Sequence, residues 1–69
     1  MPLTLCDIGT VQTIVHLGGN PATKKHLEDL GFHTGGEVMV VSRNGGNVIV
    51  NVKDTRIAID GRLASKIGV

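Results

Sequence analysis

Apolar and polar residues alternate along residues 11–17 of the sequence. Val11, Thr13, Val15 and Leu17 would lie on one side of an extended segment, with the residues between them on the other. A period of two is typical of a half-buried β-strand. The pattern therefore predicts a first strand over residues 11–17.

A helical pattern follows over residues 21–30. Asn20 is a favoured N-cap, and Pro21 is favoured at the first helical position. Leu27 and Leu30 are three residues apart and would share one face. Gly31 then supplies the residue type that ends helices in a left-handed conformation. The segment is too short to be helical alone, so we expect its leucines to pack on a sheet.

The rest of the chain has the pattern of short strands joined by tight turns. Residues 38–41 (VMVV) form the longest unbroken apolar run, and the Asn-Gly-Gly-Asn sequence at residues 44–47 is typical of a hairpin turn. We predict strands over 37–43, 48–53, 56–60 and 67–69, a turn at 54–55 and a helical turn over 60–65. Leu3, Leu5 and Ile8 are expected to cover one end of the core.

These elements predict a single mainly β domain over residues 1–69. Five short strands with closely spaced hairpins do not suit a parallel α/β layer, and a small sheet protects its edges by curling. The predicted fold is a small five-stranded SH3-like barrel, with one short α-helix inserted after the first strand and a helical turn before the last.

Charge and composition exclude several classes of protein. The chain has 69 residues and a formal net charge of +1, from seven basic and six acidic residues, which gives no electrostatic attraction for nucleic acid or an anionic membrane. The single Cys6 excludes an internal disulfide and suits a reducing compartment. We find no signal-peptide pattern and no apolar run that could span a bilayer, so we expect a cytoplasmic protein.

Several segments together resemble the ferrous iron transport protein A family, FeoA. They are the run KKHLEDLGF at residues 24–32, the turn at 33–35, the strand at 38–41, RIAI at 56–59, Ala64 and KIGV at 66–69. His26 stands where that family commonly has Arg or Lys, and Thr34 replaces its usual turn proline. The resemblance implies an SH3-like fold and a cytosolic accessory role in ferrous iron uptake.

The same resemblance implies a partner, the FeoB-type membrane permease with its cytosolic GTP-binding domain. The interpretation is an adaptor that docks on this permease. Residues predicted to contact the partner are Lys24, Lys25, Leu27, Glu28 and Phe32. The alternative is a transition-metal-binding or metal-responsive domain, because related domains end metal-dependent repressors of the diphtheria-toxin-repressor kind. Self-association as a homo-oligomer remains open.

The histidines, the cysteine and the nearby carboxylates do not have the spacing of a standard metal site. The candidates are Cys6, His16, His26, His33, Glu28, Asp29 and Glu37. There is no CxxC, no HExxH and no pair of histidines at i,i+4. The pattern leaves only a weak Fe²⁺ or Zn²⁺ site that uses His26 or His33, since nitrogen and oxygen ligands suit both metals.

No catalytic or cofactor-binding set is evident. Cys6 is interpreted as a small buried hydrophobe, because no base or oxyanion loop accompanies it. The glycine pairs at 18–19 and 45–46 lack the frame that phosphate binding needs, and are interpreted as turns. We therefore predict a protein that is not an enzyme and requires no cofactor.

Overall fold

The computed structural model describes all residues 1–69. After one 3₁₀ turn at Leu3–Leu5, the elements are β1 (Val11–Thr13), β2 (His16–Leu17), α1 (Pro21–Asp29), β3 (Glu37–Asn44), β4 (Asn47–Val52), β5 (Thr55–Asp60), α2 (Gly61–Ala64) and β6 (Ile67–Gly68). An antiparallel sheet has the order β1-β3-β4-β5, and β2 pairs with β6. The mainly β class is confirmed, although the two sheets do not close into one barrel.

The predicted first strand is divided into β1 and β2. β1 pairs with β3, whereas β2 pairs with β6 in the second sheet. At the junction, Ile14 exchanges hydrogen bonds with Gly35 and Gly36, while the Val15 amide donates to the Gly68 carbonyl. This change of partner breaks the alternation: Ile14 is buried and Val15 is 62% exposed. The prediction that Val11, Val15 and Leu17 share one side of a single strand is wrong, because Leu17 is buried and both valines are exposed.

The central sheet consists of two successive hairpins. The predicted β3–β4 hairpin is confirmed, although its loop is only Gly45-Gly46, because Asn44 and Asn47 belong to the strands. The Gly45 φ of 61° suits a two-residue turn. The β4–β5 loop is Lys53-Asp54, one residue earlier than predicted, with φ of 50° and 61°. The valines of β4 face the core as expected, because all three are buried.

Capping interactions define α1. The Thr23 amide donates to Asn20 Oδ1 over 2.8 Å, so the predicted N-cap is confirmed. At the other end, Gly31 has a φ of 108°, and the Phe32 amide donates to the Leu27 carbonyl over 3.0 Å. This pattern is a Schellman motif. The helix has nine residues, far fewer than the roughly 20 apolar residues that a bilayer-crossing helix requires, and α2 is shorter still.

The core is entirely apolar and contains no buried polar or charged side chain. Its members are Leu3, Cys6, Ile14, Leu17, Leu27, Phe32, Val38, Val40, Val48, Val50, Val52, Ile59, Ala64 and Ile67. The expectation for the N-terminal segment holds only for Leu3, because Leu5 and Ile8 are 68% and 54% exposed. The Leu3–Leu5 turn presents alternate sides to core and solvent, so one leucine is buried and the other is not.

One side chain fastens the N-terminal segment to the sheet. The Arg43 guanidinium, near the end of β3, donates to the Thr4 carbonyl over 3.0 Å and also to the Cys6 carbonyl. These residues are far apart in sequence, so the interaction closes a long loop. The two ends of the described chain also meet, because the Met1 ammonium donates to the Val69 carbonyl over 3.1 Å.

Candidate functional site

The exposed side of α1 carries charged side chains available to a partner. Lys24, Lys25 and Glu28 are all exposed, as their predicted role requires. Lys25 Nζ lies 3.4 Å from Asp29 Oδ1, with the two side chains 76% and 64% exposed. A solvated pair of this kind holds its side chains only weakly, so both charges remain free to meet another molecule.

Leu27 and Phe32, by contrast, cannot contact a partner. Both side chains are fully buried, with 0% exposure. Leu27 is the residue of α1 that faces the core, and Phe32 folds back beneath the helix through the Schellman motif. The prediction that these two residues contribute apolar partner contacts is therefore corrected: both are buried members of the hydrophobic core.

A shallow surface hollow of about 320 Å³ lies between α1 and α2. Its lining residues are Thr23, His26, Asp60, Arg62, Leu63 and Lys66. Arg62 and Lys66 add basic groups close to the helix, and the Asp60 carboxylate is partly engaged because its Oδ1 accepts the Leu63 amide over 2.7 Å. The hollow suits an acidic group of a partner better than a basic one.

Sequence reasoning missed Arg62 and Lys66. They lie far along the chain from the run at residues 24–28, and only the packing of α2 brings them beside α1. Neither residue has a spacing that marks a site, since an isolated basic residue near a short helix is ordinary surface composition. Arg62 and Lys66 thus form a basic margin of the hollow only in the folded protein, and no local motif in the sequence marks it.

The metal-ligand candidates are dispersed. His26 lines the hollow together with Asp60, His33 lies in the turn before β3, and His16 is in β2 opposite Gly68. No group of three or more His, Cys, Asp or Glu side chains is assembled in a way that could hold a metal ion. His26 and Asp60 are the one pairing of a candidate imidazole with a carboxylate in a common hollow.

Cys6 is 2% exposed and belongs to the core. Burial raises the pKa of the Cys6 thiol above its usual value, although the nearby N-terminal ammonium and the Arg43 guanidinium act in the opposite direction. Its Sγ lies 3.9 Å from the Pro2 carbonyl oxygen, the acceptor for a weak thiol hydrogen bond. A buried thiol held in its protonated form is neither a good nucleophile nor a ready metal ligand.

The comparisons with known proteins identify the family. The family model of the FeoA domain matches residues 1–69, so the chain belongs to the FeoA family. Membership of this family associates the chain with ferrous iron transport in an accessory role. No curated protein matches the chain.

Solved structures agree with this family and with its fold. A crystal structure of an iron uptake regulatory protein, FeoA, has a TM-score of 0.86 and 26% identity, covering 96% of this chain and 88% of that one. FeoA of Stenotrophomonas maltophilia, crystallised with zinc and described as a prokaryotic SH3 domain protein, has a TM-score of 0.75 and 29% identity, covering 100% and 88%. The predicted SH3-like fold is thus confirmed.

A third structure extends the likeness beyond transport proteins. A manganese-dependent transcriptional repressor has a TM-score of 0.87 at 17% identity, and the match covers 97% of this chain but only 39% of the repressor. At this identity the likeness shows the fold alone. A domain of this shape therefore also occurs as one part of a longer protein.

Proposed function

We propose that this protein acts in the cytosol as an accessory factor of ferrous iron uptake, and that it docks on the cytosolic region of a FeoB-type GTP-binding permease. The observation that carries the proposal is the match of the FeoA family model over residues 1–69. The chain contributes no chemical step. Docking stabilises one arrangement of the permease's cytosolic region, so the adaptor acts by differential binding.

The exposed side of α1 and the adjoining hollow form the docking surface in this proposal. Lys24 and Lys25 stand on the helix, while Arg62 and Lys66 border the hollow. Basic groups at such a surface attract an acidic patch and increase the rate of association, while contributing modestly to affinity. Glu28 lies among them and fixes the orientation in which an acidic partner can approach.

A charge reversal on α1 tests the surface. Lys24→Glu should weaken binding to the isolated cytosolic region of the permease about fivefold at low salt, and less at high salt because ions screen exposed charges. Lys53→Glu is the matched control, since Lys53 is also an exposed lysine but lies in the β4–β5 turn. Equal effects of the two variants would exclude α1 as the docking surface.

The role itself is tested by uptake of radioactive ferrous iron in a strain that lacks this chain. We expect uptake to fall, and to return when the wild-type protein is supplied but less fully when Lys24→Glu is supplied. Unchanged uptake in the deletion strain contradicts the accessory role. Lost binding with unchanged uptake contradicts the link between docking and transport.

A second candidate function is weak binding of Fe²⁺ or Zn²⁺ by a metal-responsive domain. It is supported by the pairing of His26 and Asp60 in one hollow, and by the zinc bound to the Stenotrophomonas relative. Two protein ligands are fewer than a structural zinc site uses, so affinity would be low. Titration calorimetry with each metal should detect a heat of binding for the wild type and none for His26→Ala. A heat of binding that persists in His26→Ala but is lost in His33→Ala would place the metal site at the turn before β3.

A further inference from the structure

The free edge of β5 offers unpaired backbone groups. β5 lies at one end of the four-stranded sheet and pairs only with β4. Because the β4–β5 loop has two residues, the flanking pair Val52 and Thr55 is a hydrogen-bonded pair. Hydrogen-bonded and non-hydrogen-bonded pairs alternate along an antiparallel ladder, so every second residue of β5 bonds β4. The backbone groups of Thr55, Ile57 and Ile59 bond β4, whereas those of Arg56 and Ala58 point outward. The Asp60 N–H points outward as well, but the Asp60 carbonyl accepts the first bond of α2, because Asp60 is the N-cap of that helix.

The side chains at Arg56, Ala58 and Asp60 carry opposite charges on the two sides of a neutral centre. Arg56, Ala58 and Asp60 are all exposed, while the alternate Ile57 and Ile59 face the core side. The basic residue lies two positions before Ala58 and the acidic residue two positions after it. An antiparallel partner strand centred on the same alanine would therefore meet an opposite charge at each end.

We propose that the β5 edge is a self-association surface, on which a second copy of this chain pairs its own β5 antiparallel about a two-fold axis at Ala58. In this register Arg56 of each copy faces Asp60 of the other copy. Ala58 faces Ala58, so no bulky side chain stands at the axis. The two four-stranded sheets then become one continuous sheet of eight strands.

Charge complementarity is the reason to choose a second copy as the occupant. Edge charges ordinarily oppose strand pairing, because neighbouring molecules bring like charges together. In this antiparallel register both cross-strand pairs are of opposite sign, whereas a parallel register would place Arg56 beside Arg56. Asp60 uses one carboxylate oxygen to cap α2, which leaves the other for the guanidinium of the second copy.

The contact is small, so we expect a weak dimer with a dissociation constant on the order of 100 μM. Sedimentation equilibrium from about 10 μM to about 1 mM should detect it. The amide hydrogens of Arg56 and Ala58 should exchange more slowly as concentration rises, while that of Ile57, already bonded to β4, should not change. A protein that stays monomeric over this range overturns the proposal.

A proline at the centre of the edge is the first variant. Ala58→Pro removes an outward-pointing N–H without breaking a bond to β4, so the monomer should fold while the dimer is lost. Thr13→Pro is the matched control, because Thr13 is exposed on the other edge strand, β1, and its backbone also points away from β3. Circular dichroism checks that both variants are folded. A dimer that survives Ala58→Pro overturns the proposal.

Charge reversal tests the register. Arg56→Asp should weaken the dimer roughly tenfold or more, because each end then brings two carboxylates together. Lys24→Asp makes the same change of net charge on α1 and should leave association unchanged. Mixing Arg56→Asp with Asp60→Arg restores opposite charges at both ends, so the mixture should associate more tightly than either variant alone. Equal weakening by Lys24→Asp and Arg56→Asp would contradict pairing at β5.

Discussion

At the scale of single residues, Gly31 determines where α1 ends and how the chain turns beneath it. Its φ of 108° lies in the region that side-chain-bearing residues rarely adopt. The sequence allowed this position to be predicted, because a glycine directly after the last apolar helical residue is typical of a C-terminal cap. The conformation, more than any lack of space, requires glycine: the nearest atom to an added Cβ is 3.9 Å away.

Gly31→Ala should lower the free energy of unfolding by about 1–2 kcal/mol, since alanine pays the steric cost of a positive φ. Gly46→Ala is the control, because Gly46 has open space around it and no positive φ. Urea denaturation followed by circular dichroism measures both. Similar losses in the two variants would show that the conformation of Gly31 is not the cause.

The buried thiol of Cys6 makes stability depend on pH. Burial raises the pKa of this thiol in the folded state, so the unfolded chain loses the proton first. Stability from this group is complete below the unfolded pKa of about 8.5 and is lost as pH rises above it. The urea midpoint should therefore fall more between about pH 7 and about pH 9.5 in the wild type than in Cys6→Ala, which cannot ionise. Parallel slopes would contradict this mechanism.

The two errors in the candidate docking residues also belong to this scale. The sequence predicts Leu27 and Phe32 as apolar contacts because they lie near Lys24 and Lys25 along the chain. The same spacing that makes Leu27 a core residue excludes it from the surface, and the chain reversal at Gly31 buries Phe32 with it. Neighbours in sequence on a helix face different directions, so proximity to a charged run does not indicate exposure.

At the scale of elements, the division between β1 and β2 shows the limit of a periodic pattern. Alternation from residue 11 to residue 17 predicts one strand, and each half is indeed extended. The pattern carries no information about which strand lies alongside, so it cannot reveal that the chain changes from β3 to β6 between Thr13 and His16. The hairpins were predictable because Asn-Gly-Gly-Asn is a local signal.

Paired alanine substitutions test this division. Ile14→Ala should cost about 2–4 kcal/mol of unfolding free energy, because Ile14 is 1% exposed and its removal leaves a cavity. Val15→Ala should change stability by less than about 0.5 kcal/mol, because Val15 is 62% exposed. If residues 11–17 formed one uninterrupted strand with Val15 and Leu17 on the buried side, Val15→Ala would cost more stability than Ile14→Ala. Urea denaturation of the two variants therefore distinguishes the two arrangements.

At the scale of the whole molecule, a thin core is supplemented by contacts that close long loops. A domain of this size buries only about 60% of its unfolded surface. The fold class could be predicted, because short strands and tight turns leave few alternatives. The open arrangement of the two sheets could not, since it depends on the change of partner between β1 and β2. The basic margin of the hollow could not either, since it depends on how α2 packs beside α1.

Arg43 provides the side-chain hydrogen bonds of longest range, and their loss should loosen the N-terminal segment. Arg43→Ala removes the donors to the Thr4 and Cys6 carbonyls and should cost about 1 kcal/mol. Hydrogen exchange should then quicken at residues 3–6 more than in β4. Arg56→Ala, a control at another exposed arginine, on β5, should leave exchange at residues 3–6 unchanged. Uniform acceleration along the chain would contradict a local clamp.

Phe32 gives the molecule one further property. It is the only Phe, Tyr or Trp side chain, and it is fully buried in the core. The only other aromatic rings are the imidazoles of three exposed histidines, so the phenyl ring is the main source of ring-current shifts within the core in the proton magnetic resonance spectrum. A core methyl signal that is strongly displaced upfield therefore belongs to a neighbour of this phenyl group. A single one-dimensional spectrum can thus report whether the helix remains seated on the sheet, without isotopic labelling or an introduced probe.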